Sequence, residues 1–150
     1  FSGGGYSVDV HFDDADRKPA CSVMTDESHI AVTPLDWGLR ASSGMIIGQG
    51  SATVSAKVAA QLVADLQAVY PDVPLDGVQP AWAGLRPMSA DGVPVIGLVP
   101  GMTNAYLATG HAMLGLTYAP STAKVVRALM EGTAPASYAM LSPTRFGGGK

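Results

Sequence analysis

The sequence predicts an α+β fold with a largely antiparallel sheet and packed helices. Short apolar stretches, some alternating with period two, recur between Gly- and Pro-rich turns. Two longer stretches, 54–74 and 115–132, read as helices. The order runs strands, helix, strands, helix, which suits an α+β arrangement.

In "YSVDVHF" (6–12), Tyr6, Val8, Val10 and Phe12 fall on one side, the pattern of a half-buried strand. "DDADRKP" (13–19) follows as a charged, Pro-ended loop. "CSVMT" and "HIAVTPL" read as two strands around the turn "DES". Residues 37–50 read as a strand that breaks at glycines. The clearest helix follows, with Val58, Leu62, Leu66 and Val69 on one face and Pro71 closing it. Ser51 or Thr53 is placed to cap its start. "DGVQPAWAGLRP" is extended and leads into the turn "SADG" (89–92). "VPVIGLV" and "NAYLATG" read as short apolar strands. The second helix starts near Gly115 and stops at Gly132, with Pro120 in its first turns. The tail from Thr133 reads as a loop.

The chain of 150 residues fits one domain or one compact piece of a larger one. Charged residues make up 14% against about 25% in ordinary domains. Apolar residues make up 47%. That surplus fits a well-filled core or a face that packs against further protein. Net charge is -3 with no basic run, which argues against nucleic acid as a partner. Cys21 is alone, so the chain forms no internal disulfide, and a reducing compartment is expected. No stretch approaches the roughly 18 apolar residues of a transmembrane helix. The first residues lack signal-peptide character and an initiating Met, which reads as a fragment or a processed chain.

Several stretches tempt a functional reading. "MIIGQGSATVSAKV" (45–58) carries G-x-G before a helix, but Thr53 stands where a third Gly belongs and no acid follows at the right spacing. His11 and His29 have no partner at metal-ligand spacing, so no metal site is expected. Asp13, Asp14 and Asp16 do not complete a calcium loop and read as solvated. No convincing catalytic dyad is found.

Two stretches carry more chemistry. In "ATGHAMLGLTYAP" (108–120) a strand ends at Thr109, and Gly110, His111 and Gly115 form a compliant loop into a helix. Helix-start N–H groups suit an anion or the electron-rich carbonyl of a planar ligand. A plain strand-to-helix turn has the same pattern. Arg86 stands in an uncharged run, "WAGLRPMSADGVPVIG". Its planar fork suits a carboxylate held bidentately, from a ligand or from one of the chain's twelve acids.

These two stretches together resemble the C-terminal end of the FAD-dependent amino-acid oxidoreductases of the D-amino-acid oxidase superfamily. The carrying patterns are W-x-G-L-R-P-x-(S/T)-x-D-G-x-P-x-I-G and A-T-G-H-x-x-x-G-x-T. The likeness is greatest to the D-amino-acid dehydrogenase and glycine-oxidase branches. "SPTRF" resembles the family's closing segment. "GYSVDV", "DESHIAVTPLDWGLR" and the helix ending in "VYPDVP" resemble its substrate-domain sheet and following helix.

The resemblance implies that Arg86 holds the substrate carboxylate. It implies that Gly110, His111, Gly115, Leu116 and Thr117 run along the flavin of FAD and offer backbone N–H groups to its carbonyl side. No residue is assigned as catalytic. The implied reaction is oxidative deamination of an amino acid by hydride transfer to FAD, followed by imine hydrolysis. Residues 1–80 would be part of a substrate-binding domain, 81–132 the carboxylate strand and flavin-contacting strand–loop–helix, and 133–150 a tail. Tyr6, Tyr106 and Tyr118 are candidates to line the pocket.

The sequence departs from the family in two places. A G-x-x-E glutamate is replaced by Ile47. The upstream G-x-G-x-x-G half that binds FAD is not in the chain. The implied protein is the last third of such an enzyme, inactive alone, completed by a chain or segment that carries the FAD-binding half. Its expected place is the cytoplasm or the periphery of the inner membrane. The alternative is a non-catalytic binding or interaction domain derived from such an enzyme.

Overall fold

A computed structural model describes residues 1–13, 17–48 and 50–147. Asp14 and Asp16 of the acidic loop, Gln49, and the last three residues of the tail lie outside the described residues. Contacts divide the chain into two units, one of residues 4–85 and one of residues 86–150 with 1–3.

The first unit is built on strands β1 (Ser2–His11), β2 (Val23–Met24), β3 (Ala31–Leu35), β4 (Gly38–Ile47) and β5 (Trp82–Pro87), with β1 and β5 crossing its boundary. They form one sheet in the order β2-β3-β4-β1-β5. β2 and β3 pair antiparallel, as do β3 and β4, with Val32 opposite Ala41. The β1 and β4 side chains meet as Ser7 with Ser42 and Asp9 with Arg40, a register that also runs antiparallel. β1 begins four residues before the expected strand start and takes in Gly3–Gly5.

Alternation decides the faces. Tyr6, Val8 and Val10 of β1 join Val32, Leu39 and Ala41 in one buried cluster. Helix α1 (Ala56–Val69) covers that cluster and contributes Leu62 and Leu66, while the predicted Val58 and Val69 pack half-buried at its edge. Phe12 also packs at the edge, just past the end of β1. The cap of α1 is Ser55, whose hydroxyl accepts from the Val58 N–H at 3.3 Å. The expected caps, Ser51 and Thr53, instead lie outside the helix and bond one another. Gly44 sits within β4 at φ +89°, and a Cβ there would meet the Tyr6 ring at 2.9 Å. The bare backbone lets the ring lie against the strand.

The second unit holds a hairpin of β6 (Val95–Leu98) and β7 (Tyr106–Thr109), antiparallel with Val95 opposite Thr109. Helix α2 (Gly115–Met130) packs on both strands and buries Val125. Pro120 falls at the sixth position of α2, past the first turn, and the helix continues through it. Beyond it, Gly132 takes φ +69° and donates to the Leu129 carbonyl, the left-handed stop expected of glycine. The tail is not a plain loop. It forms two 3-10 helices, Ala136–Leu141 and Pro143–Phe146, the second capped by Ser142. Such short helices carry no periodic apolar signal to read in advance.

Leu66 is fully buried at the centre of the α1 face. Leu66→Ala is expected to cost about 2–5 kcal/mol through the lost apolar contact and the cavity left behind. Urea unfolding followed by tryptophan fluorescence checks this. A loss under about 0.5 kcal/mol, the range of surface substitutions, would refute the packing described.

Candidate functional site

The candidate residues Arg86, Gly110, His111, Gly115, Leu116 and Thr117 all fall in the second unit. The chain leaves β7 at Thr109 and turns at Gly110, which is buried at φ +81°. A Cβ at Gly110 would lie 3.4 Å from the Ser89 Cβ and 3.5 Å from the Val95 N. At that dihedral glycine is favoured, while the space itself would admit a Cβ at ordinary van der Waals contact. His111 then pairs with Met88 in an antiparallel bridge. Arg86 stands two residues before Met88 on β5, half-buried. The bridge thus joins the arginine-bearing segment to the loop.

After His111 the chain makes one 3-10 turn, Ala112–Leu114, and runs straight into α2. Ala112 takes φ +49°, the left-handed region a non-glycine residue seldom enters. The start of α2 has no side-chain cap, and its first turn holds no acid. Leu116 is 91% exposed there, and Thr117 and Tyr118 are exposed beside it. A helix start with neither cap nor acid keeps the positive end of its dipole available to a ligand. An apolar groove of about 730 Å³ runs from His111 and Gly115 along α2 to Met130.

Residues 3–129 match the family model described as DAO, FAD dependent oxidoreductase.

The chain belongs to this family.

Among curated relatives, it is 35% identical over 131 residues to a D-amino acid dehydrogenase of Cereibacter sphaeroides, covering 87% of this chain and 30% of that protein. It is 33% identical to the D-amino acid dehydrogenase of Agrobacterium fabrum, with 87% and 31% covered. The chain spans under a third of the length of either relative. Among solved structures it is similar to glycine oxidase from Bacillus cereus, with a TM-score of 0.76, 21% identity, and 90% and 37% of the two chains covered. L-proline dehydrogenase from P. horikoshii gives a TM-score of 0.76 at 18% identity, covering 97% and 40%. At those identities the structures share the fold. The α+β architecture with an antiparallel sheet agrees with them.

Other tempting stretches resolve differently. The G-x-G of 48–50 follows β4, which pairs antiparallel with β3, and α1 begins only at Ala56. It is not the strand–turn–helix of a dinucleotide fingerprint. His11 lies against Trp37 with ring centroids 4.6 Å apart and the rings tilted at 54°. Among the described residues no group of His, Cys, Asp or Glu is arranged to hold a metal. Among the described residues no helix is long and apolar enough to cross a membrane. Tyr6 belongs to the first unit's core, where it also lines a small pocket with Gly44 and Leu62. Ile47, expected at the place of a glutamate, is exposed at the end of β4.

Sequence reasoning missed two long-range ion pairs. Asp9 and Arg40 form a bidentate pair, both bonds 2.8 Å, and the guanidinium also lies over the Trp37 and Trp82 rings. Arg40 holds the Asp9 carboxyl below its ordinary range, against the opposing effect of burial. In the second unit, Arg145 donates to Asp91 at 2.7 and 3.0 Å and to the Val93 carbonyl at 2.6 Å. The Arg145 hydrogen bonds hold Asp91 far below the usual carboxylate range, and the Val93 N–H adds to this. The buried Ser89 hydroxyl makes no hydrogen bond of full geometry, yet lies close enough to favour the same charge. Sequence separations of 31 and 54 leave no local signal for either pair.

Both carboxylates titrate lower in the folded chain than the ordinary 3.8. Their stabilisation is complete above that value and is lost as pH falls through the lower folded values. Stability is therefore expected to hold from pH 7 to 5 and to fall below about pH 4. Asp91→Asn should flatten the fall between pH 4 and 2 in thermal melts. A variant whose melting temperature declines with the wild-type slope would rule the pair out as a source of acid sensitivity.

Proposed function

We propose that this chain supplies the substrate-carboxylate and flavin-contacting part of an FAD-dependent amino-acid dehydrogenase or oxidase. One observation carries the reading. The Met88–His111 bridge ties the strand of Arg86 to a loop that enters α2 with no side-chain cap and no acid. The two motifs of the family thereby meet in one unit.

In this reading Gly110, His111, Gly115, Leu116 and Thr117 hold the flavin side of FAD through backbone N–H groups. The residues fit such a group. Gly110 makes the left-handed turn that glycine favours, and the bare helix start suits the electron-rich edge of a planar ring. When bound, FAD supplies the acceptor for a hydride in the oxidative deamination of an amino acid. Arg86 grips the substrate carboxylate with its fork and so fixes the α-carbon. Fixed orientation of this kind contributes up to about 7–11 kcal/mol to a barrier. The curated relatives named D-amino acid dehydrogenase favour an amino acid as substrate. Their greater length favours a further segment that carries the rest of the cofactor site.

The test is a chimera in which this chain replaces the matching segment of the Cereibacter sphaeroides D-amino acid dehydrogenase. D-amino-acid-dependent reduction of a dye is expected. Arg86→Lys keeps the charge but loses the fork, and it should raise KM by at least about tenfold, near 1.4 kcal/mol of binding. An unchanged KM would remove Arg86 from the carboxylate site.

A further inference from the structure

We propose that Thr122 is a positioning residue that sets the conformation of the 110–115 loop by acting through His111. The inference rests on the flavin-contacting role given to that loop above. The imidazole Nε2 of His111 and the Thr122 hydroxyl are 2.9 Å apart. Thr122 lies seven residues past Gly115 and three past Ala119, on one stripe of α2. Gly115 and Ala119 carry no bulk on that stripe, and the three residues line the groove together with His111. The side chain of His111 thus turns back toward α2.

The loop needs such a hold. Ala112 sits at φ +49° without being glycine, a conformation that persists only where its surroundings enforce it. The residue before it is fixed at two other points. His111 bridges Met88 through its backbone, and its carbonyl accepts from the Leu114 N–H at 2.9 Å. The Thr122 bond adds a third point, from the helix whose start the loop must present. Threonine is a middling helix former, so propensity does not account for it at this position. A helical threonine commonly bonds its own helix carbonyl. Here the hydroxyl reaches the loop instead.

Thr122→Val removes the hydroxyl at nearly constant shape, and Thr122→Ser retains it. Amide hydrogen exchange in the 150-residue chain is expected to quicken at least tenfold over 112–116 in the valine variant. The serine variant should stay within about threefold of wild type. The 15N shift of the His111 imidazole should move in the valine variant and return in the serine one. Exchange around Leu62 and Leu66 serves as an internal control and should not change. Unchanged exchange over 112–116 in Thr122→Val overturns the proposal. So does a rise spread over the whole chain, or a serine variant that behaves like valine. FAD affinity of the chimera, measured separately, tests the reading beneath it. Faster loop exchange with unchanged FAD affinity supports the positioning role and counts against flavin contact by the loop.

Discussion

Arg145 makes six hydrogen bonds, to both carboxylate oxygens of Asp91 and to the carbonyls of Val93, Pro94, Leu141 and Ser142. Half-buried and planar, it matches a guanidinium's fixed fork to acceptors set by two separate segments. One segment is the tail. The other is the 89–95 stretch, whose Ser89 and Val95 pack against Gly110. The geometry of the loop therefore depends on a residue near the chain's end. A lysine there would keep the charge but could not reach this set of acceptors.

From that anchor the second unit is built outward in short steps. The 89–95 stretch packs against Gly110, whose positive φ favours glycine. Gly110 turns the chain so that His111 meets Met88. His111 is held again by Thr122, and the 3-10 turn delivers the start of α2. The apolar surplus of the composition divides in two. Part of it fills the β1–β4–α1 core of the first unit. Part stays on the surface of α2 and its loop, at Met113, Leu114, Leu116 and Met130.

Legibility followed the range of each interaction. α1 was readable because Leu62 and Leu66 recur at helical spacing, and β1 because Tyr6, Val8 and Val10 alternate. The α1 cap was misplaced by a few residues, since Ser51, Thr53 and Ser55 are all competent and only the helix register selects Ser55. The tail read as a loop because 3-10 turns leave no period. Arg86 and the 110–117 loop stood out through their motifs, whereas the partners that shape the loop did not. Thr122 is an ordinary helix residue in sequence, and Asp91 an ordinary turn residue. Their roles arise only when β7, the 89–95 stretch and α2 are brought together.

The most direct measurement is the visible absorption of flavin in the chimeric dehydrogenase, titrated with an unreactive carboxylate such as acetate. A carboxylate gripped by Arg86 beside the ring should perturb the flavin bands in a saturable way. Arg86→Lys should weaken that response by at least about tenfold, the loss of one good charged contact. Equal titrations for the two proteins would contradict a carboxylate site at Arg86 beside the flavin.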